Sequence, residues 1–157
     1  MNKSSIRKKI IKLRKRNFSK KLSISPIKFL KFLKKKKFTK KIIGAYYPFN
    51  YELNILHILK ILEKKNYILS LPKVAKNNKM DFFQWSFKEP LKINKYGIPE
   101  TTSNKKIFPN ILLIPLVGFD NQLNRLGYGG GYYDRYLSKV QDYNKIIKIG
   151  IGFSFQK

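Results

Sequence analysis

The residues best suited to chemistry lie in a glycine-rich segment, NRLGYGGGYYDRYL, at 124–137. Four of the chain's 9 glycines fall at 127 and 129–131, immediately before a helical pattern. Backbone N–H groups at the start of a helix bind anions, and glycine lets the backbone approach a ligand closely. Arg125, just before the glycines, could meet the same anion. The pattern therefore indicates a phosphate site, with a tight structural turn as the alternative.

Asp134, in the first turn of the following helix, indicates what kind of phosphate ligand the site would bind. A carboxylate there suits the helix dipole but repels a bound phosphate. A Mg²⁺ ion between Asp134 and the phosphates of ATP would remove that conflict. Neither common phosphate motif fits, because no lysine follows the glycines and the sixth position counted from Gly127 is Tyr132.

Composition argues against several other kinds of site. The chain has no cysteine and a single histidine, His57, which excludes disulfides and argues against zinc; we expect His57 to be structural or exposed. No apolar run approaches the roughly 18 residues of a membrane span, and no signal peptide is visible, so we expect a cytoplasmic protein.

The formal net charge is +27, from 35 basic and 8 acidic residues. Such a charge attracts anionic ligands and, non-specifically, nucleic acid. Only five of the basic residues are arginines, and lysine, isoleucine and asparagine are abundant together, as an AT-rich genome would produce. Genomic bias and a functional positive surface both remain open.

Helical and extended patterns alternate along the chain. We expect helices at 3–17, with Ile6, Ile10, Leu13 and Asn17 on one face, at 26–36 after an N-cap at Ser25, within 50–65, and at about 130–141. Apolar strands are expected at 41–48, 67–72, 80–87, 110–120 and 146–153. This order predicts one α/β domain over 1–157, three-layered, with a mostly parallel central sheet and helices on both faces. The glycines follow the strand at 110–120, where such sheets bind ligands.

The glycine segment resembles the signature of the 5-formyltetrahydrofolate cyclo-ligases, also called 5,10-methenyltetrahydrofolate synthetases. Further similar segments follow in the family's order: KSSIRKKIIKLRK (3–15), AYYPFNYELN (45–54), LSLPKV (69–74), MDFFQW (80–85), KYGIPE (95–100), LLIPLVGFD (112–120) and IGIGFSFQ (149–156). The resemblance implies ATP- and Mg²⁺-dependent conversion of 5-formyltetrahydrofolate to 5,10-methenyltetrahydrofolate, with release of ADP and phosphate. It also implies a further C-terminal segment beyond FSFQK that this chain lacks. The alternative is a basic nucleic-acid-binding or folate-binding protein on an inactive version of the same fold.

The same resemblance implies roles for individual residues. Nucleotide binding falls to Lys3, Arg7, Arg125, Leu126, Gly127, Tyr128, Gly129, Gly130, Gly131, Tyr132 and Tyr133. Folate binding falls to Tyr47, Glu52, Tyr96, Tyr128, Gly129, Gly130, Gly131 and Tyr132. Arg125 and Tyr132 are the candidate catalytic residues, and Asp134 is the candidate Mg²⁺ ligand. We expect a monomer with small-molecule substrates and with neither a specific nucleic acid nor a membrane as partner.

Several of these residues have plainer alternatives. Lys3 and Arg7 could be two more surface charges, and Glu52 could simply favour a helix N-terminus. Tyr47 and Tyr96 could be core residues. Many family members carry a basic residue within the glycine loop, where this chain has Tyr128 and Gly130. Backbone amides and other lysines would then have to supply the missing charge.

Overall fold

The computed structural model describes residues 2–19, 22–35, 41–141 and 146–157. Its helices are α1 (Lys3–Asn17), α2 (Pro26–Lys34), α3 (Leu56–Lys64) and α4 (Tyr132–Val140). Its strands are β1 (Ile42–Gly44), β2 (Ile68–Val74), β3 (Met80–Trp85), β4 (Leu91–Ile93), β5 (Pro99–Thr101), β6 (Ile111–Pro115), β7 (Gly118–Phe119), β8 (Arg125–Leu126) and β9 (Ile147–Ile151). Short 3₁₀ helices cover Lys76–Asn78 and Ser154–Gln156.

Five strands form the central sheet in the order β3-β2-β1-β6-β9. Strand β1 pairs in parallel with β2 and β6, and β6 pairs in parallel with β9. Strand β3 runs antiparallel to β2 at one edge. The predicted α/β class with a mostly parallel sheet is therefore confirmed. No described helix is both long and apolar enough to cross a membrane.

Strand β6 shows why the sheet needs helices on both faces. Ile111 and Leu113 pack with side chains of α2 and α3, whereas Leu112 and Ile114 pack with α4. Successive side chains of a strand point to opposite faces, so a continuous apolar run is stable only when both faces are covered. The run at 110–120 thus predicted the three layers correctly.

Helix α1 has the predicted bounds, and Ile6 and Ile10 are half-buried on its inner face as expected, but that face continues through Arg14 rather than Leu13. Leu13 is 37% exposed, whereas Arg14 is 1% exposed. The prediction that Leu13 faces inward was wrong because this side of α1 covers the carbonyl groups of Asn50 and Leu116 and the hydroxyl of Tyr128, all of which Arg14 bonds. Asn17, also expected on the inner face, is exposed and donates a hydrogen bond back to the Leu13 carbonyl.

The remaining helices differ from the prediction at their ends. Ser25 caps α2 as expected, accepting a hydrogen bond from the Lys28 N–H at 3.5 Å, and residue 36, the predicted end, lies outside the described residues. The helix expected within 50–65 begins only at Leu56. Positive φ values of 47° at Asn50 and 61° at Tyr51 are incompatible with a helix there.

Two short hairpins were not predicted from the sequence. Strands β4 and β5 form one, with a turn at 94–98. Strands β7 and β8 form the other, and its turn is held by Asp120, whose carboxylate accepts the N–H groups of Gln122 and Asn124 at 2.9 and 2.8 Å. The second hairpin ends at the glycine segment and therefore sets where that segment starts.

Candidate active site

The glycine loop, residues 127–131, connects β8 to α4. Gly129 and Gly131 have φ values of 107° and 65°, in the left-handed region that favours glycine. Gly131 is also the N-cap of α4. Among the described residues, the N–H groups of 127–131 donate no hydrogen bond to any protein acceptor. Five consecutive amides at a helix N-terminus are therefore available to an anion.

Two arginines from different helices hold carbonyl groups of the glycine loop. Arg7 of α1 donates from Nε to the Gly127 carbonyl at 2.8 Å, and Arg135 of α4 donates from Nη2 to the Gly130 carbonyl. In a trans peptide the following N–H points opposite to the carbonyl. The N–H groups of Tyr128 and Gly131 consequently point away from these guanidinium groups.

Arg125 and Asp134 form an ion pair beside the loop. The guanidinium of Arg125 lies 5.7 Å from the centroid of the Tyr133 ring, and a Cβ at Gly127 would lie only 2.7 Å from its Nη1. The Asp134 side chain is 71% exposed. In this structure the candidate phosphate cation and the candidate Mg²⁺ ligand thus neutralise each other.

The donor set around Asp134 fits Mg²⁺ only together with a nucleotide. Within the described part of the chain, no group of three or more His, Cys, Asp or Glu side chains could hold a metal ion. Mg²⁺ usually takes one or two carboxylates and fills its remaining positions with phosphate oxygens and water. One exposed carboxylate next to five unpaired amides matches that pattern.

Glu52 lies in the segment after β1 and is buried, with 8% of its surface exposed. Its Oε2 accepts the Phe49 N–H at 2.9 Å. Burial raises the pKa of the Glu52 carboxyl to about 7, against the opposing effects of the Phe49 N–H, the Arg14 charge and the nearby Tyr128 hydroxyl. The carboxyl therefore exchanges its proton near neutral pH.

Arg14 is the residue of this region that the sequence reasoning missed. Its guanidinium donates to the carbonyl groups of Asn50 at 2.6 Å and Leu116 at 3.4 Å, and to the hydroxyl of Tyr128. The available signal was an arginine two helical turns after Arg7, on the same face of α1, in a chain that otherwise uses lysine.

Tyr96 and Tyr132 are brought together at the loop. Their hydroxyl groups are 2.6 Å apart, and the Tyr132 hydroxyl also donates to Oδ1 of Asn78 at 3.2 Å. Tyr96 is exposed in the turn of the β4–β5 hairpin, which disfavours the core-packing alternative. The structure thus places this tyrosine at the edge of the glycine loop.

The other candidates are placed less directly at the loop. Tyr47 is half-buried and packs against the larger core cluster. The Tyr133 hydroxyl is buried without a hydrogen-bond partner among the described residues, and burial raises its pKa. Lys3 is exposed in the first turn of α1, one turn before Arg7, and no described contact joins it to the loop. His57 is exposed as expected, with Nε2 3.2 Å from the Ile24 carbonyl.

Two solved structures have the same fold over almost the whole chain. The NMR structure of Aquifex aeolicus 5,10-methenyltetrahydrofolate synthetase matches with a TM-score of 0.75 and 28% identity, over 99% of this chain and 80% of that one. A 5,10-methenyltetrahydrofolate synthetase from Mycoplasma pneumoniae matches with a TM-score of 0.72 and 28% identity, over 100% of this chain and 88% of that one.

Curated sequences give the same relationship. The 5-formyltetrahydrofolate cyclo-ligase of Haemophilus influenzae is 33% identical over 122 residues, which are 73% of this chain and 65% of that protein. The cyclo-ligase of Mycoplasma pneumoniae is 34% identical over 118 residues, 74% of this chain and 62% of that protein. The chain thus spans less than two thirds of these curated relatives. The family model of the 5-formyltetrahydrofolate cyclo-ligases matches residues 1–157, and this chain belongs to that family.

Proposed function

We propose that this protein is a cytoplasmic monomer that uses ATP to convert 5-formyltetrahydrofolate to 5,10-methenyltetrahydrofolate. The observation that carries the proposal is the glycine loop, whose five amides have no acceptor among the described residues and which Arg7 and Arg125 both approach at Gly127. Membership of the cyclo-ligase family supports the choice of substrates.

ATP binds with its phosphates on the glycine loop. The amides of 127–131 donate to phosphate oxygens, and Arg125 adds a cation once Asp134 releases it. Arg7 fixes the Gly127 carbonyl and its peptide plane, and Lys3, one turn earlier on α1, adds a further positive charge near the nucleotide. Positioning and charge neutralisation are what phosphoryl transfer requires of a protein.

Folate binds beside Glu52. An ionised carboxylate can accept two N–H groups of the pterin at once, and the low exposure of Glu52 strengthens such bonds. Tyr96 and Tyr132, joined through their hydroxyl groups, offer flat ring faces at the exposed edge of the same region. Tyr47, packed half-buried near β1, completes the expected contacts.

The reaction needs no covalent intermediate with the protein. The formyl oxygen attacks the γ-phosphate of ATP and ADP leaves. The second folate nitrogen then attacks the activated carbon and loses its proton, and phosphate departs with the former formyl oxygen. Arg125 and the loop amides stabilise negative charge on the transferred phosphoryl group, and Tyr132 lies where its hydroxyl can orient it. Mg²⁺ held by Asp134 would supply further neutralisation of the phosphate charge.

The test is formation of the methenyl product, followed by its ultraviolet absorbance after mixing protein, ATP, Mg²⁺ and 5-formyltetrahydrofolate. Arg125→Ala should lower kcat/KM about 10²- to 10³-fold, as loss of one charge-stabilising donor does. Asp134→Asn should raise the Mg²⁺ concentration that turnover requires.

The matched control is Arg16→Ala, which removes an exposed arginine of α1 that has no described contact with the loop. It should leave the rate nearly unchanged. A folded wild-type protein that binds both substrates and forms no product would instead indicate a folate-binding protein. Failure to bind ATP would refute the assignment of the glycine loop.

A further inference from the structure

Arg14 is a buried positive charge without a directly contacting carboxylate among the described residues. Its hydrogen-bond partners are two backbone carbonyls and one hydroxyl, and its Nε has no partner. Removing a guanidinium from water is unfavourable unless nearby groups compensate for it. The three acceptors supply part of this compensation, and the nearby Glu52 carboxylate, whose pKa the Arg14 charge lowers, supplies a further part.

Tyr128 connects Arg14 to that charge. The hydroxyl of Tyr128 accepts a hydrogen bond from Nη2 of Arg14 and lies near enough to the carboxyl of Glu52 to lower its pKa. Because a hydroxyl carries one proton, a hydroxyl that accepts from Arg14 keeps that proton available for the Glu52 carboxylate. The guanidinium also lies 5.4 Å from the centroid of the Tyr128 ring. A single chain of contacts therefore runs from α1 through the glycine loop to the segment after β1.

We propose that Arg14 is a positioning residue that keeps Glu52 ionised and oriented through Tyr128. Folate recognition then depends on how α1 and the glycine loop are docked. This inference rests on the proposed function, because that function assigns the Glu52 carboxylate to the folate.

Because of its surroundings, the ionisation of Glu52 depends on Arg14 and Tyr128. The groups that face it are Arg14 from α1, Tyr128 from the glycine loop, Tyr46 from the segment after β1 and Tyr133 from α4. The three tyrosines have raised pKa values, mainly because they are buried, and stay protonated throughout the neutral range. Arg14 is thus the cation that opposes the effect of burial on Glu52.

Arginine suits this position in a way that lysine does not. The fork of Arg14 reaches acceptors in three different segments, at Asn50, Leu116 and Tyr128. An ammonium group is a compact charge and cannot match this planar arrangement. We therefore expect Arg14→Lys to keep part of the charge effect and to lose part of the orientation of Tyr128.

The first measurement is a ¹³C NMR titration of the glutamate carboxyls, with the Glu52 signal assigned by its loss in Glu52→Gln. In the wild type it should titrate near pH 7. Tyr128→Phe and Arg14→Met should each move that midpoint upward by about one pH unit. Arg16→Met, at an exposed position of the same helix, should not move it. An unmoved midpoint in folded Tyr128→Phe protein would overturn the proposal, even if Arg14→Met fails to fold.

The second measurement compares the affinities for 5-formyltetrahydrofolate and for a non-hydrolysable ATP analogue across pH. With the Glu52 midpoint raised from about 7 by one unit, the ionised fraction at pH 7 falls from a half to about a tenth. Folate affinity of Tyr128→Phe should accordingly fall about fivefold at pH 7 and recover by about pH 9. The affinity for the analogue should show no such recovery between pH 7 and pH 9.

The two readouts separate this inference from the proposed function. A moved midpoint in a protein that binds no folate would support the link from Arg14 to Glu52 and refute the substrate assignment. Equal losses of folate and analogue affinity would show only a general disturbance of the loop, and would overturn the positioning role of Arg14.

Discussion

Replacing Glu52 by glutamine should stabilise the protein strongly at alkaline pH and hardly at all at acid pH. The carboxyl pKa rises from 4.5 to about 7 on folding, chiefly because the side chain is buried. A raised carboxyl pKa means that the folded state holds the proton more tightly, so folding stability falls as pH rises from about 4.5 through about 7. At about 1.4 kcal/mol per pH unit, an ionised Glu52 destabilises the folded protein by about 3 kcal/mol at pH 8.

Glutamine has nearly the same shape and can still accept the Phe49 N–H through its amide oxygen. The wild type and Glu52→Gln should consequently have similar free energies of unfolding at pH 5 and differ by about 3 kcal/mol at pH 8, with the variant more stable. Urea unfolding followed by fluorescence suits this comparison. The chain has a single tryptophan, Trp85, which is 4% exposed in the fold.

The matched control is Glu89→Gln, which makes the same substitution at an exposed glutamate. The variant Glu52→Gln should also lose folate affinity, since the amide presents one acceptor in place of two. A Glu52→Gln protein that is less stable than wild type at pH 8 would refute the reasoning. It would mean that attraction to Arg14 outweighs the effect of burial.

Three further results are expected. Gly44→Ala should lower the free energy of unfolding by about 1–3 kcal/mol in urea titrations, because a Cβ there would lie 2.5 Å from Leu112 Cδ2 inside the sheet. Asp134→Asn should bind Mg²⁺-free ATP about two- to fivefold more tightly than wild type in equilibrium dialysis, because Arg125 no longer has to leave its ion pair. Asp81→Asn should destabilise the protein by about 1 kcal/mol at pH 7. Burial raises the pKa of Asp81, but hydrogen bonds and charges from two lysines outweigh it and lower the pKa, so this loss should disappear as pH falls below the ordinary value of 3.8.

Each of these expectations has an outcome that would contradict it. Wild-type stability in Gly44→Ala would mean that the sheet shifts to accept a methyl group. Unchanged or weaker ATP binding by Asp134→Asn in the absence of Mg²⁺ would mean that the ion pair does not compete with phosphate. A destabilisation of Asp81→Asn that does not decrease at all as pH falls below 3.8 would assign the loss to packing rather than to the lysines.

The parts of the fold that could be predicted are those set by burial. Of the run at 110–120, the sheet strand β6 covers only 111–115, and its four successive apolar residues at 111–114 are all buried because both faces of the strand are covered. Ser25 followed by a proline likewise predicted the start of α2. Such signals are local, so one sequence is enough to interpret them.

The positions of the site residues could not be derived from periodicity. Tyr96 reaches the loop because an unpredicted hairpin folds over it, and Arg14 is buried because α1 covers carbonyl groups far away in the sequence. These contacts join segments separated by 36 to 102 residues. The resemblance to a family supplied the candidate residues; whether they bind the substrates is the prediction that remains to be measured.

Helix α1 has one further consequence, for the dynamics of the protein. Its links to the rest of the fold are mainly the hydrogen bonds of Arg7 and Arg14 and the packing of Ile10 against Gly118, while Arg14 is its single fully buried residue. An element that buries so little apolar surface detaches at a lower free energy than the sheet does. A nucleotide bound to the glycine loop would stabilise the form in which α1 is packed on the rest of the fold, by mass action. The amides of α1 should therefore exchange hydrogen faster than those of β6, and ATP should slow them selectively, so that this helix reports ligand occupancy from outside the sheet.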